Sequence, residues 1–416
     1  MKVRARSTLA LLAAGLLVAA GCGSDNSKSS SSGGATTTGG TTTTAASGGT
    51  TTTAAAGGTT TTAASGAAAT TAAGGGSAAG PWGWPGDATT GYLAPNQPDV
   101  NKDGKVTIAI LSPGDTNDKG YYESFVDSAK AFAQQQGWTV TTVDKVPDSQ
   151  AAQAARNACQ LKPDMVAIAA SELKDAIPVA QEDVCKDTVW YVAGGAGVNQ
   201  TPYFVQTNDI LSQSSYVSGV AAGLLMKANG STKAGFLTGP QASFTTNFAK
   251  GWEAGIKSQV PNAEVVTTYT GDFNDSAKAV AAFQAMKSQG IGVVYPYLGG
   301  ATFAVAQQAN QANIPVLTPG TDNCAVPSPK FAVSVIFDPG QYFAAALTPF
   351  KNGKLRVGTA LTFHMGVDPV PTVKMCQPTG DQAAIIDQTI KDIGTGKIRT
   401  DQLTGLNDYG SYVPGS

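Results

Sequence analysis

Residues 106–143 read VTIAILSPGDTNDKGYYESFVDSAKAFAQQQGWTVTTV and contain one complete strand–helix–strand unit. The unit begins with a mostly apolar run at 106–111, which is typical of a buried strand, and ends with a second strand-like run at 139–143. Between them lies an amphipathic helix whose apolar residues recur at helical spacing: Phe125, Ala129, Phe132 and Ala133. Strands that alternate with helices in this way predict a parallel sheet.

The same alternation continues along the chain and falls into two series. The first series adds strands near 165–169, 189–192 and 204–206, and the second has strands near 234–237, 264–269, 292–295 and 316–318. Two such series predict an α/β protein with two doubly wound lobes. In each lobe, the loops at the carboxyl ends of the strands are where a ligand would bind.

The composition argues against several classes of function. The chain has 27 basic and 29 acidic residues, a net charge of −2, and 13% charged residues in all. A nucleic-acid-binding protein would be expected to carry a basic stripe. His364 is the only histidine, so most metal-dependent hydrolases and catalytic triads would lack their usual residues here. We therefore expect neither an enzyme nor a bound metal or cofactor, and no nucleic-acid partner.

The first 22 residues have the features of a bacterial lipoprotein signal peptide. Lys2, Arg4 and Arg6 precede an apolar run at 9–20, which is shorter than the roughly 20 residues that a membrane span needs. The sequence VAAGC that ends at Cys22 resembles a lipobox, which predicts lipidation of Cys22 and attachment to the extracytoplasmic face of the cell membrane. An ordinary signal peptide with an incidental cysteine is the alternative.

Residues 23–103 are predicted to be a disordered tether and lead-in. From 23 to 80 every residue is Gly, Ala, Ser or Thr, apart from Asp25, Asn26 and Lys28, and a nine-residue unit GGTTTTAAS repeats within 39–66. Such side chains cannot bury enough apolar surface to offset the entropy of ordering the backbone. The tether would hold the folded part away from the membrane, and its threonines are also candidates for O-linked sugars.

Four cysteines follow Cys22, namely Cys159, Cys185, Cys324 and Cys376. An even number of cysteines in an exported domain favours disulfide bonds. Three pairings are possible, and we favour Cys159–Cys185 with Cys324–Cys376 because each pair then stays within one neighbourhood of the chain. Buried free thiols are the alternative.

Acidic and aromatic residues stand near the loops that follow predicted strands. Asp118 and Asp322 each start a helix or loop, where a carboxylate either caps the helix or accepts two hydrogen bonds from a diol in a cleft. Tyr121, Tyr122 and Phe273 lie near loop starts, and packing in the core is the alternative for them. These residues are candidates for ligand contacts.

A Gly-Gly pair, Gly299 and Gly300, follows another predicted strand. It has neither the spacing of a dinucleotide-binding motif nor that of a phosphate loop, so by itself it indicates only a tight turn. At the start of the helix near Ala301, however, backbone N–H groups without a helical partner would point into a cleft and could bind ligand hydroxyls or carbonyls.

Several motifs together resemble the basic membrane protein family of substrate-binding lipoproteins. The resemblance covers about residues 104–376, and its specificity comes from the order and spacing of the motifs. In chain order these are DKGY at 118–121, SYVSG at 215–219, GFLTG at 235–239, FAKGWEAG at 248–255, YTGDFND at 269–275, GG at 299–300 and GTD at 320–322.

The resemblance implies the type I periplasmic-binding-protein fold, in which two Rossmann-like lobes are joined by a three-segment hinge. It maps residues 104–208 with about 324–352 to one lobe, and residues 209–323 with about 358–416 to the other. Members of this family bind purine nucleosides and deliver them to an ABC importer. The resemblance therefore implies a nucleoside-like ligand held between the lobes.

The implied site has a base-binding part and a sugar-binding part. Tyr121 and Phe273 would stack on the two faces of the base. Tyr121 and Tyr122 stand where the family usually has Phe-Asn, so we expect the base selectivity to differ from that of other members.

For the sugar, the resemblance implies contacts from Asp322, Gly299 and Gly300. Asp118 would add a polar contact from the first loop.

The sequence therefore predicts a lipid-anchored, monomeric substrate-binding protein that presents a small polar ligand to an ABC transporter permease. A ligand-sensing lipoprotein that serves a membrane partner is one alternative, which neighbouring permease and ATPase genes would distinguish. The other is a nucleoside-processing enzyme that uses Asp118 and Asp322 as acid and base.

Overall fold

The computed structural model describes residues 91–194, 198–410 and 412–415, all of which belong to one unit of the chain, residues 74–416. The predicted signal peptide, the lipidation site Cys22 and the tether up to residue 90 lie outside the described residues. Within the described part of the chain, no helix is both long enough and apolar enough to cross a bilayer.

Strands and helices alternate along most of the described chain. In order they are β1 (Tyr92–Leu93), β2 (Thr107–Leu111), α1 (Tyr121–Gln136), β3 (Thr139–Val143), α2 (Ala151–Gln160), β4 (Met165–Ile168), β5 (Val189–Ala193), β6 (Val205–Asp209), α3 (Leu211–Asn229), β7 (Lys233–Thr238), α4 (Ser243–Gln259), β8 (Glu264–Tyr269), α5 (Ser276–Ser288), β9 (Val294–Tyr297), α6 (Thr302–Gln311), β10 (Leu317–Gly320), β11 (Val333–Ile336), α7 (Pro339–Lys351), β12 (Arg356–Val357), β13 (Ala360–Phe363), β14 (Thr372–Met375), α8 (Gln382–Gly394) and α9 (Thr400–Thr404). Short 3-10 helices lie at Asp148–Gln150, Ser171–Gln181 and Asp183–Cys185.

The first lobe is built on a parallel sheet with the strand order β13-β6-β5-β4-β2-β3. Because side chains alternate along a strand, β2 contributes to two cores. Ile108 and Ile110 pack with α1 and α7 on one face, whereas Ala109 and Leu111 pack with α2 on the other. Helices thus cover both faces, and the predicted doubly wound lobe is confirmed.

The second lobe has the same layered plan. Its parallel strands are ordered β8-β7-β9, and a parallel bridge between Val294 and Val316 connects them to the group β10-β11-β14. Strand β14 runs antiparallel to β11. Phe236 of β7 packs with α3 and α4, and the neighbouring Leu237 packs with α5 and α6 on the opposite face. This lobe is therefore doubly wound as well.

The chain passes between the two sheets three times, as a three-segment hinge requires: from β6 to α3, from β11 to α7, and from β13 to β14. The strand pairing differs from the predicted lobe bounds at two places. The predicted bounds place about 324–352 in the first lobe, but strand β11 of that segment pairs with β10 in the second sheet. They place about 358–416 in the second lobe, but strand β13 of that segment pairs with β6 in the first sheet.

Both favoured disulfide bonds are present, and the predicted pairing is confirmed. Cys159 at the end of α2 bonds to Cys185, with a Cα–Cα distance of 5.2 Å, within the buried cluster that contains Ala109 and Leu111. Cys324, which follows β10, bonds to Cys376, which follows β14, with a Cα–Cα distance of 4.8 Å. Each bond joins two segments of the same lobe, although the chain between Cys324 and Cys376 passes through the first lobe as α7 and β13.

Removing either disulfide is expected to destabilise the protein through the unfolded state. The Cys324–Cys376 bond joins residues 52 apart and the Cys159–Cys185 bond residues 26 apart, so the chain-entropy relation gives losses of about 4 and about 3.5 kcal/mol in the free energy of unfolding. Denaturant unfolding of the two double Cys→Ser variants would measure this. A loss below about 1 kcal/mol for both variants would contradict the expectation.

Candidate ligand-binding site

A cleft of about 340 Å³ opens where the carboxyl ends of strands from both lobes meet. The loops after β4, β5, β8 and β9 reach it, as does the carboxyl end of β6, as expected for ligand sites of doubly wound sheets. Its volume is in the range of small-molecule sites. The lining residues are Tyr121, Tyr122, Ala170, Ser171, Glu172, Gly194, Asn208, Asp209, Leu211, Ser243, Phe244, Asn247, Phe248, Phe273, Tyr297, Leu298, Gly299, Pro319, Phe337, Tyr342, Leu406 and Asp408.

Aromatic rings from both lobes form much of the wall. Tyr121 comes from the first lobe, at the start of α1, and its ring centroid lies 6.3 Å from that of Phe337. Phe273 comes from the second lobe and stacks on Phe244, with centroids 6.1 Å apart and ring planes at 21°. The backbone of Gly239 leaves room for the Phe273 ring, because a Cβ atom there would lie 2.6 Å from it. The arrangement can enclose a flat apolar group.

Four of the predicted site residues line this cleft: Tyr121, Tyr122, Phe273 and Gly299. The ring of Tyr122 is buried, and its hydroxyl donates a hydrogen bond to Oε1 of Glu172 at 3.0 Å. Burial raises the pKa of the Glu172 carboxyl. Tyr122 thus joins the loop after β4 to the start of α1.

Asp118 is not among the residues that line the cleft. Its carboxylate accepts hydrogen bonds from three backbone N–H groups at the start of α1, those of Gly120 at 2.9 Å, Tyr122 at 3.3 Å and Glu123 at 3.0 Å. Burial raises the pKa of Asp118, although these N–H groups act to lower it. In the structure Asp118 therefore fixes the helix start from which the tyrosines extend.

Asp322 also lies outside the lining residues. Its carboxylate forms an ion pair with Nζ of Lys374 at 2.7 Å and accepts a hydrogen bond from the N–H of Cys324 at 3.0 Å. Burial acts to raise the pKa of Asp322, but the bonds from Lys374 and Cys324 hold it below its usual value. The side chain of Asp322 is 41% exposed.

The backbone N–H groups expected to be free before α6 are already paired. The N–H of Gly299 donates to the carbonyl of Phe273 at 3.1 Å, and that of Gly300 donates to Oδ1 of Asn274 at 2.8 Å. Gly300 is not among the lining residues. The Asn274 side chain that follows β8 satisfies this donor, and nothing in the periodicity of the sequence indicates that contact.

Sequence reasoning missed the acidic residues that do line the cleft, Glu172, Asp209 and Asp408. Asp209 ends β6, and its Oδ2 accepts a hydrogen bond from Ser214 Oγ at 2.8 Å. Burial raises the pKa of Asp209 to about 6, and the charge of Asp408 acts in the same direction. Asp118 and Asp322 are candidates because each follows a predicted strand. Asp209 also follows a predicted strand, so the same signal could have identified it. No comparable signal marks Asp408.

Comparison with solved structures supports the fold. A solute-binding protein of an ABC transporter system from Conexibacter woesei DSM 14684 is 22% identical, with a TM-score of 0.55 over 71% of this chain and 98% of that chain. A second such protein, from Aeropyrum pernix K1, is 15% identical, with a TM-score of 0.59 over 74% of this chain and 93% of that chain. The type I periplasmic-binding-protein fold is therefore confirmed.

Comparison with known sequences gives the family. The ABC transporter nucleoside-binding protein BmpA of Lactococcus lactis subsp. cremoris (strain MG1363) is 38% identical over 102 residues, which are 24% of this chain and 28% of that protein. A family model, described as ABC transporter substrate-binding protein PnrA-like, matches residues 105–392. Because that match covers well over half of the chain, the protein belongs to the Bmp family of PnrA-like ABC transporter substrate-binding proteins.

Proposed function

We propose that this protein is a lipid-anchored, extracytoplasmic binding protein that captures a nucleoside-like ligand and delivers it to the permease of an ABC importer. The observation that carries the proposal is the cleft between the lobes, where aromatic rings from both lobes lie beside carboxylates. Rings suit a flat base, and carboxylates accept hydrogen bonds from sugar hydroxyls. The protein would act as a monomer and catalyse no reaction.

Contacts with both lobes explain how a bound ligand would favour the closed form of the protein. A ligand shifts the equilibrium between open and closed forms only through contacts that differ between them. Tyr121 and Tyr122 belong to the first lobe, and Phe273 and Gly299 to the second. A base held between Tyr121 and Phe273 would contact both lobes at once and so favour the closed form that a permease recognises.

We assign the main contact with sugar hydroxyls to Asp209. Asp209 lines the cleft, whereas Asp322 is paired with Lys374. Asp118 and Gly300 would act indirectly, since their polar groups hold the start of α1 and the loop before α6 in place. In measurements of nucleoside affinity, the Asp322→Asn variant is the matched control for the Asp209→Asn variant.

The affinity for a nucleoside is expected to fall by about tenfold when the pH falls from 7 to 5. With a pKa of about 6, Asp209 is mostly ionised at pH 7 and mostly protonated at pH 5, where it loses the charge that attracts hydroxyl donors. The charged groups that act on it are Asp408, which raises the pKa, and His364, which lowers it. Calorimetry at both pH values would measure the change, and Asp209→Asn should flatten it. An equal pH dependence in that variant would contradict the assignment.

The same pKa shift has a separate effect on the empty protein. Because the folded state holds the Asp209 proton more tightly than the unfolded state does, this group stabilises the fold most below about pH 4. Its contribution to the free energy of unfolding declines as the pH rises through about 6.

The lipid anchor is supported by the sequence around Cys22, which lies outside the described residues. The Cys22→Ser variant is expected to lose incorporation of labelled fatty acid, because serine lacks the thiol that accepts the lipid. Membrane fractionation of cells that express the wild type or the variant would follow the protein. Labelled, membrane-bound Cys22→Ser protein would show that the anchor lies elsewhere.

The ligand itself can be identified directly. Protein purified from its native host can be denatured and the released small molecules analysed by mass spectrometry. We expect a compound with a flat heterocycle and a sugar, and at least tenfold less of it from the Phe273→Ala variant. Release of a compound without an aromatic ring, in amounts equal for both proteins, would refute the proposed function.

A further inference from the structure

Among the residues that the structure describes, the charged side chains that line the cleft are all acidic. Glu172, Asp209 and Asp408 line the cleft, and no Lys, Arg or His is among the described residues that do so. In a cleft that closes and excludes water, unpaired carboxylates are costly unless a partner of opposite charge enters with them.

Asp408 belongs to a segment that the family match does not include. That match ends at residue 392, whereas Asp408 follows α9. Its Oδ2 accepts a hydrogen bond from the N–H of Ser212, and its Oδ1 accepts one from the Ser212 hydroxyl, both at 2.7 Å. These bonds place the carboxylate at the start of α3, which begins two residues after Asp209 at the end of β6.

The neighbouring Tyr409 holds this segment in place. Its hydroxyl accepts a hydrogen bond from Nε2 of Gln213 at 3.2 Å and lies 2.9 Å from the hydroxyl of Thr400. The guanidinium of Arg399 stacks over the Tyr409 ring, 4.9 Å from its centroid. Asp408 is therefore a fixed part of the cleft wall.

Capping of α3 accounts for only part of this arrangement. The bonds from Ser212 and Ser214 satisfy donors at the helix start, and a helix start attracts negative charge. Capping does not explain the unpaired hydroxyl of Tyr342. This residue lines the same cleft and is only 4% exposed. Among the described residues its hydroxyl has no hydrogen-bond partner. A buried hydroxyl of this kind is expected to be paired when the site is filled.

We propose that Asp408 and Asp209 bind a positively charged amino group of the ligand, so that the protein prefers an amine-bearing nucleoside-like compound to a neutral or anionic one. The inference rests on the proposed function and specifies its ligand class. A protonated amine placed between the two carboxylates donates hydrogen bonds to both and offsets one of their two negative charges. Tyr342 lines the same cleft, and its hydroxyl is an additional acceptor. A phosphate would meet only like charge there.

The deciding experiment compares matched ligands on the wild-type protein by calorimetry. The probes are adenosine, the three aminodeoxyadenosines in which the 2′, 3′ or 5′ hydroxyl is replaced by an amine, and adenosine 5′-monophosphate. We expect at least one amine to bind at least tenfold more tightly than adenosine, and the monophosphate to bind more weakly. If adenosine binds and no amine binds more tightly than adenosine, the inference is overturned while the proposed function stands.

Two further arms complete the test. In Asp408→Asn, whose amide oxygen can still accept from the Ser212 N–H while its NH2 group donates to the Ser212 hydroxyl, the advantage of the amine should fall to less than threefold, and an unchanged advantage would overturn the role of Asp408. The Asp322→Asn variant should keep the full advantage. If no adenosine compound binds but the aromatic amine tryptamine does, and Asp408→Asn weakens it, the cation site stands and the nucleoside proposal fails.

Discussion

Replacing Phe273 by alanine is expected to weaken nucleoside binding by a factor of ten to a hundred. The ring stacks on Phe244 at the cleft wall of the second lobe, and the first-lobe aromatic Tyr121 lines the same cleft. Stacking of an aromatic side chain on a base contributes about 1–3 kcal/mol, and each 1.4 kcal/mol corresponds to a factor of ten. Tyr121→Ala should have an effect of the same size, since it would remove the other stacking face.

The stability of these variants separates a binding effect from a folding effect. Phe273 is only partly buried, so its removal should change the thermal midpoint by a few degrees at most. Tyr203→Ala is the matched control, because that tyrosine is 42% exposed and lies outside the cleft lining. Phe273→Leu tests the aromatic character alone. If Phe273→Ala and Tyr203→Ala bind a nucleoside equally well, the stacking site has been misassigned.

A second large effect is expected where helices α3 and α4 cross. At Gly219 an added Cβ atom would lie 2.9 Å from the Cα of Gly255, so the two backbones approach too closely for any side chain. Gly219→Val should lower the free energy of unfolding by about 3 kcal/mol or more, because overpacking of a filled interface costs about 1–3 kcal/mol even for smaller changes. Denaturant unfolding would measure the loss.

The same substitution should also reduce ligand affinity. Ser212 and Ser214 at the start of α3 hold Asp408 and Asp209, so a displaced helix moves both carboxylates. Ala277→Val, at an exposed position of α5, controls for the general cost of a β-branched residue in a helix. If the Gly219→Val and Ala277→Val proteins were equally stable, α3 and α4 would tolerate being moved apart where they cross.

The layered fold could be predicted because its signals are local. The apolar spacing of Phe125, Ala129 and Ala133 predicts the buried face of α1, and all three side chains are buried in the structure. Strand β11 could not be assigned to a lobe in the same way. Its residues, Val333–Ile336, are buried on all sides, and nothing in an apolar run indicates which sheet it joins. That choice depends on pairing with β10 and β14.

The site residues could be predicted only in part, because some of them are positioned by contacts with residues distant in the chain. Tyr121 and Phe273 stand within recognisable motifs and line the cleft. Asp322 also stands in a motif, yet its position is determined by Lys374, 52 residues later on β14. Asp408 enters the cleft only because its segment packs back onto the start of α3. Contacts between residues distant in the chain leave no periodic signal in the sequence.

The central claim, that the cleft binds a nucleoside between the two lobes, is tested most directly by one calorimetric series. Purified protein would be titrated with adenosine, guanosine, inosine and cytidine, and with free ribose as the control that lacks a base. The account predicts a dissociation constant well below one millimolar for at least one nucleoside and weaker binding of ribose. If no nucleoside binds below about one millimolar, the claim is contradicted.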